Sequence, residues 1–228
     1  MCGRVRLSTD HSEIRLQLDL ADFAPAPNWR PSWNIAPTQD MLVVVRDGEP
    51  AGRVPRIMRW GLIPAWASND RQRYATFNAR SETVASTATF RGAWRAGRRC
   101  LVVTDGFYEW RKSDKQPFLI TRSSGELTIL AGLWETWRSP AGETIRSCTV
   151  LTTTANEAMA RLHDRMPVIL LREDWPVWLG ETPANEAQVA ALLRPCPSAA
   201  LRLVPVDRRV GNVRNNDPAL AEPIALEA

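Results

Sequence analysis

The sequence predicts an α+β fold: one domain built on a curved, mostly antiparallel, barrel-like β-sheet with helices on its outside. Three observations lead there. Short runs rich in Val, Ile, Leu and Thr recur along the chain, bounded by Gly, Pro, Asp or Ser. Helical patterns are fewer and short. Strand and helix signals do not alternate, which argues against a doubly wound parallel sheet. The strand-like runs are 41–46, 57–63, 99–104, 117–121, 127–133, 147–153, 168–171 and 201–206. Ser123 to Glu126 reads as the turn of a hairpin. Helices are expected over 12–20, 90–96, 156–162, 175–179 and 186–193, the third capped by Thr154 or Asn156. No repeat or low-complexity linker interrupts the chain, so the domain is expected over 1–216, with 217–228 as a loose tail.

Composition excludes several classes. The chain has 228 residues, 44% hydrophobic and 24% charged, with a formal net charge of +4. These are ordinary globular values and exclude disorder of the chain as a whole. No apolar run approaches the roughly 18 residues of a membrane helix. The opening MCGRVRLSTD has no apolar stretch of a signal peptide, so a cytoplasmic protein is expected. All but two of the 29 Lys and Arg residues are arginine, the exceptions being Lys112 and Lys115. Arginine grips phosphate and stacks on bases, but a GC-rich genome also favours it. Ten tryptophans read mainly as core fillers. Cys2, Cys100, Cys148 and Cys196 form no Cys-x-x-Cys pair, and with only His11 and His163 no zinc spacing arises. No metal and no cofactor is expected. Cys100 and Cys148 sit in apolar runs and read as buried strand residues, and Cys196 lies in a loop between prolines.

Four segments carry candidate chemistry. In Met1-Cys2-Gly3-Arg4 the second residue is small enough for Met1 to be removed by an aminopeptidase. A free terminal cysteine is a 1,2-aminothiol: its amine condenses with an aldehyde, and its thiol then closes a five-membered thiazolidine. A cysteine that follows the start codon by chance is the plainer reading of the dipeptide alone. Asn78 and Arg80, two apart in a strand, face one side and suit a sugar oxygen and a phosphate; a turn Asn capping a helix at Ser81 is the alternative. Glu109 alternates with aromatics after an apolar strand. A partly buried carboxyl there suits acid–base work near neutrality, whereas an exposed one would pair with Arg111 or Lys112. His163 ends a helix before Pro167, either as a proton-transfer group or as a cation at the helix terminus.

Together these segments resemble the SRAP family, the SOS-response-associated peptidase-like or abasic-site-processing proteins. The resemblance is carried by MCGR at 1–4, WNIAPT at 33–38, RWGLIPAW at 59–66, NARSET at 78–83, FRGAW at 90–94, GFYEW at 106–110, LHDRMP at 162–167 and VGNV at 210–213. They occur in the family's order over nearly the whole chain. The resemblance implies an SRAP fold and a single-stranded DNA partner containing abasic sites, with the terminal cysteine linked covalently to the open-ring aldehyde. It implies that Cys2 supplies amine and thiol, that Asn78 holds the amine or sugar, and that Glu109 is general acid and base. It gives His163 the sugar hydroxyl or a phosphate. Arg4 and Arg80 would contact phosphates; Asn34, Pro37, Trp60, Trp66 and Trp110 would form the DNA-binding cleft. Strand incision through a Schiff base, release of the residue before Cys2, and a monomeric state belong to the same expectation. The arginines of 65–73 match no particular contact of the family. Arg91, Arg95 and Arg98 recur at helical spacing, as a DNA-facing or a merely solvated face.

Two other classes remain open at this point. One is a cysteine hydrolase of peptides with Cys2 as nucleophile and His163 or Glu109 as base. The other is a noncatalytic single-strand binder using arginines and tryptophans.

Overall fold

The structure is a computed structural model, describing residues 2–20, 30–48, 50–70 and 75–226. Two sheets share one core. The first is a five-stranded antiparallel sheet in the order β12-β8-β7-β1-β2. Its strands are β1 (Val5–Leu7), β2 (Ser32–Ile35), β7 (Gly106–Trp110), β8 (Pro117–Arg122) and β12 (Leu201–Pro205). The second is a barrel. Its strands are β3 (Asp40–Asp47), β4 (Gly52–Trp60), β6 (Arg99–Val102), β9 (Leu130–Arg138) and β10 (Thr144–Thr154). They pair in sequence β4-β3-β6-β9-β10, and β10 returns to β4 in parallel register, Ser147 opposite Arg59 and Cys148 opposite Trp60. Closure removes the open edges that a sheet of this width would expose. The expected α+β, mostly antiparallel and barrel-like architecture is therefore present, divided into a closed barrel and a flanking sheet.

β4 ends at Trp60, and the next residue, Gly61, has a φ of +128° that suits a residue without a side chain. Beyond that point this edge of β10 takes the short strand β5 (Asn78–Arg80) in parallel, while the opposite edge, past the end of β9, takes β11 (Arg165–Pro167) antiparallel. Pro55 sits in β4 before the closure with β10, where a strand edge tolerates a missing N–H.

Tryptophans fill the space between layers, and the ring N–H of each buried one is bonded. Trp60 and Trp178 are wholly buried; their ring N–H groups donate to the carbonyls of Phe77 and Cys100 at 2.8 and 3.0 Å. Trp137 and Trp175 donate to the carbonyls of Ala67 and Leu170. The helices are short: α1 (His11–Gln17), α2 (Arg91–Arg95), α3 (Glu157–Ala160), α4 (Trp175–Leu179) and α5 (Glu186–Ala191). Asn156, rather than Thr154, caps α3 by accepting from the Met159 amide.

Several expectations are corrected. The turn at 123–126 is no hairpin, because β8 and β9 belong to different sheets; it is a crossing between layers. The strand expected over 57–63 runs from Gly52 to Trp60, and that over 127–133 begins at Leu130. Residues 168–171 make only a single bridge, Ile169 to Leu130, since β11 already occupies the end of β10. Arg91, Arg95 and Arg98 do not share a helix face: α2 stops at Arg95, Gly97 turns the chain at φ +65°, and Arg98 binds Glu135. The expected loose tail is mostly exposed but is anchored at two points. Leu220 is buried with Tyr108, Leu119, Val206 and Val210, and the Ile224 amide donates to Pro205 at 3.0 Å. The burial of Leu220 against the small sheet offsets part of the segment's ordering. Arg71 and Arg73 lie outside the described residues.

Gly106, on the strand that carries Glu109, has no room for a side chain. A Cβ there would lie 2.5 Å from the Ile120 carbonyl oxygen and 2.9 Å from Thr121 Cγ2. Gly106→Ala must therefore push β7 from β8, and a loss of about 1–3 kcal/mol is expected from urea unfolding. An unchanged midpoint would contradict the close approach.

Candidate functional site around Cys2

The site forms where the open half of β10 meets the small sheet. Cys2 lies three residues before the start of β1 and is buried. Its carbonyl accepts a hydrogen bond of 2.7 Å from Asn78 Nδ2. Asn78 is the first residue of β5, set opposite Val150 by the parallel ladder to β10. The other end of its amide, Oδ1, is buried with no hydrogen-bond partner. Such an acceptor costs about 1–3 kcal/mol unless a donor arrives.

Glu109 comes from β7, next to β1 in the small sheet. It is buried, and its Oε1 accepts from the Trp110 amide at 3.1 Å. The exposed, cation-paired alternative fails: Arg111 binds Asp114 at 2.9 Å and Lys112 binds Asp164 at 3.1 Å. His163 follows α3, with its amide donating to the Met159 carbonyl. Its Nδ1 accepts from the Arg165 amide at 3.0 Å and lies 2.8 Å from Asp164 Oδ1.

Electrostatics join these groups. Burial pushes the Cys2 thiol well above the usual range, and the negative charge of Glu109 pushes it further. Burial also holds the His163 imidazole below its ordinary value, while Glu109 works the other way. One carboxylate thus acts on both neighbours. Near neutrality the arrangement presents a protonated thiol, a largely neutral imidazole and a buried carboxyl around one cysteine. It can move protons at Cys2 more readily than it can present a thiolate. No group of three or more His, Cys, Asp or Glu with metal-binding geometry occurs among the described residues.

The remaining expected residues divide. Trp60 is corrected: it is wholly buried with its N–H spent on Phe77, so it cannot stack on anything outside the core. Asn34 and Arg4 are also corrected, from surface contacts to an internal hub. Asn34 Nδ2 donates to the carbonyls of Asn212 and Asn215 at 3.1 and 2.7 Å. Arg4 Nη1 donates to Asn34 Oδ1 at 2.7 Å and to the Val210 carbonyl, and the guanidinium lies 5.7 Å from the Trp110 ring. These side chains satisfy the backbone of the irregular 210–215 segment, which has no sheet partner there. Pro37 is half-buried at the turn after β2, and Trp110 is half-buried beside Arg4. Arg80 is exposed on the strand that begins with Asn78, and Trp66 is 69% exposed. Sequence reasoning missed Asp164 and Lys112 beside His163, and Arg165, which binds Glu82 at 2.6 Å and the Thr152 carbonyl at 2.7 Å. The charged string following His163 was the available signal.

A closed mixed barrel beside an antiparallel sheet, with a buried second-residue cysteine where they meet, defines a barrel-type protein with a cysteine-centred site. The chain belongs to the SOS response associated peptidase (SRAP) family, whose sequence model matches residues 1–213. It is 37% identical over 225 residues to the abasic site processing protein YoqW of Bacillus subtilis, covering 97% of this chain and 99% of that one. It is 33% identical to the abasic site processing protein HMCES of Xenopus tropicalis, covering 99% of this chain and 79% of that one. A crystal structure of a Bacteroides thetaiotaomicron protein superposes with a TM-score of 0.83 at 21% identity, covering 98% of this chain and 100% of that one. That likeness concerns the fold. No described helix is long and apolar enough to cross a membrane.

Two outcomes follow from this geometry. Asn34→Ala should lower stability by about 1–3 kcal/mol in urea unfolding, because it strands buried carbonyls; a side chain serving only an outside ligand would leave the midpoint in place. All four cysteines are buried with thiols pushed up, Cys196 to about 11 and Cys148 to about 12. Iodoacetamide at pH 7.5 should therefore label none of them quickly in the native state and all of them in guanidinium. Rapid native labelling of Cys2, read by peptide mass spectrometry, would show that its thiol is not held as described.

Proposed function

We propose that this protein captures the aldehyde of an abasic site in single-stranded DNA, linking it covalently to Cys2 once Met1 has been removed. The observation that carries the reading is the surrounding of Cys2: Asn78 grips its carbonyl and Glu109 bears on its thiol. The names of the YoqW and HMCES relatives support the same substrate.

The chemistry balances with one water released. The free α-amine of Cys2 adds to the aldehyde carbon, and the resulting carbinolamine loses water to give an imine. Sulfur then adds to that carbon, its proton passing to the imine nitrogen, and the five-membered ring closes. Glu109 protonates the departing hydroxyl and takes the thiol proton; its position in a buried wall suits it to both. The buried Asn78 Oδ1 provides an acceptor for the freed amine. A thiol kept protonated favours attack by nitrogen first. It disfavours the peptidase reading, in which a thiolate would open an amide. Strand incision by β-elimination branches from the imine, so it competes with ring closure. Exposed Arg80 and Trp66 contribute a phosphate contact and a stacking surface, the latter worth about 1–3 kcal/mol per base. With a net charge of only +4, binding to DNA weakens with salt.

The test mixes protein with a single-stranded oligonucleotide carrying one abasic site. A heat-stable band on denaturing electrophoresis is expected, together with a mass showing Met1 gone. Cys2→Ala abolishes the band. Cys2→Ser leaves only an imine that borohydride must trap. Glu109→Gln slows formation by about 10²–10⁴-fold. A full band from Cys2→Ala, or from protein retaining Met1, would sink the mechanism.

A further inference from the structure

His163 meets two partners at one nitrogen. Nδ1 lies 3.0 Å from the Arg165 amide nitrogen and 2.8 Å from Oδ1 of Asp164. It cannot serve both in one state. Toward the amide it must be a bare acceptor, which leaves the ring hydrogen on Nε2. Toward the carboxylate it must itself carry hydrogen, as imidazolium or as the Nδ1–H tautomer. Asp164 is held in turn by Lys112 Nζ at 3.1 Å, and the Lys112 amide donates to the Leu162 carbonyl at 3.2 Å. The chain leaving Glu109 is thereby fastened to the segment of His163 through both backbone and side chain.

We propose that Asp164 and the Arg165 amide are exchange partners for His163 Nδ1, letting the ring take a proton on that side and release one from Nε2 without turning. The inference rests on reading His163 as part of the Cys2 site. The proton arrives from water, to which Asp164 is open with 68% of its side chain exposed. The Nδ1 lone pair binds it, and the bond from Arg165 gives way to one donated to Asp164. Nε2 then yields its own hydrogen to a base, the N–H electron pair staying on nitrogen. Nothing is oxidised or reduced, and one proton has crossed the ring. Asp164 and Lys112 are positioning residues in this scheme, because they act through His163. Glu109 of β7 and Asp164 favour the charged ring; the terminal amine and Lys112 oppose it, as does burial. The Arg165 guanidinium on β11 is engaged by Glu82 and the Thr152 carbonyl.

The chain has only two histidines, so imidazole NMR of the DNA-free protein reads the ring directly, with His11→Gln supplying the assignment. Asp164→Asn should lower the His163 midpoint by roughly half a pH unit and enrich the Nε2–H tautomer. Lys112→Met should raise the midpoint. Opposite movements are not what a merely structural role for the pair would produce. The pH profile of adduct formation with abasic oligonucleotide should move with the midpoint in each variant. An unmoved midpoint in Asp164→Asn overturns the exchange pair, and a moved midpoint with an unmoved rate profile overturns its use as a proton path. Should the wild-type protein form no adduct at all, the proposed function fails, while the NMR shifts still decide the exchange at Nδ1.

Discussion

β4 stops at Trp60, and because it stops, the edge of β10 beyond Cys148 can accept another strand. The barrel is closed by only a short parallel register between these two strands. From Val150 onward that edge pairs with β5, while β11 takes the opposite edge of β10 where β9 ends. Asn78 and the segment of His163 are thus carried on one rigid strand that is rooted in the barrel wall. The small sheet supplies the other half, since β1 and β7 are neighbours within it and bring Cys2 and Glu109. The site is a seam between two sheets, and each sheet contributes two of the four groups.

The hub of Arg4, Asn34 and Trp110 stiffens the small-sheet side of that seam. Arg4 is two residues from Cys2, and Trp110 follows Glu109 directly. The polar atoms of Arg4 and Asn34 are directed at the 210–215 carbonyls, so a distant part of the chain is bound to the strands bearing the chemistry. A residue type that suits phosphate thus serves here to satisfy backbone, which the side chain's donor fork does equally well. The segment after Asp217 covers the same face with Leu220.

Much of this was legible in the sequence, and the failures have physical causes. Buried strands such as β3, β6 and β10 announce themselves by continuous β-branched runs, and Asn156 announced its cap. The local motifs around Cys2, Asn78, Glu109 and His163 marked four residues that the fold brings near one another. Pairing was not legible: nothing in Ser123 to Glu126 says that the following strand joins another sheet, because a turn's composition specifies its bend and not its partner. Burial of polar and aromatic side chains was equally hidden. Trp60 and Trp66 lie six residues apart in one motif, yet one is sealed in the core and the other exposed. Only tertiary packing separates them. Asp164 was overlooked because its significance depends on which ring nitrogen it approaches, a matter of ångströms.

The scarcity of lysine acquires meaning beside the Lys112–Asp164 bridge. Carbonyl compounds glycate proteins through unprotonated primary amines, and a guanidinium is a poor nucleophile for the same electrophile. With arginine carrying nearly all the positive charge, the chain offers few side-chain amines to compete for a carbonyl compound. Of the two that exist, Lys112 is paired with the Asp164 carboxylate. Under the proposed function, selectivity for the chain's first free nitrogen would be assisted by what the rest of the polypeptide omits.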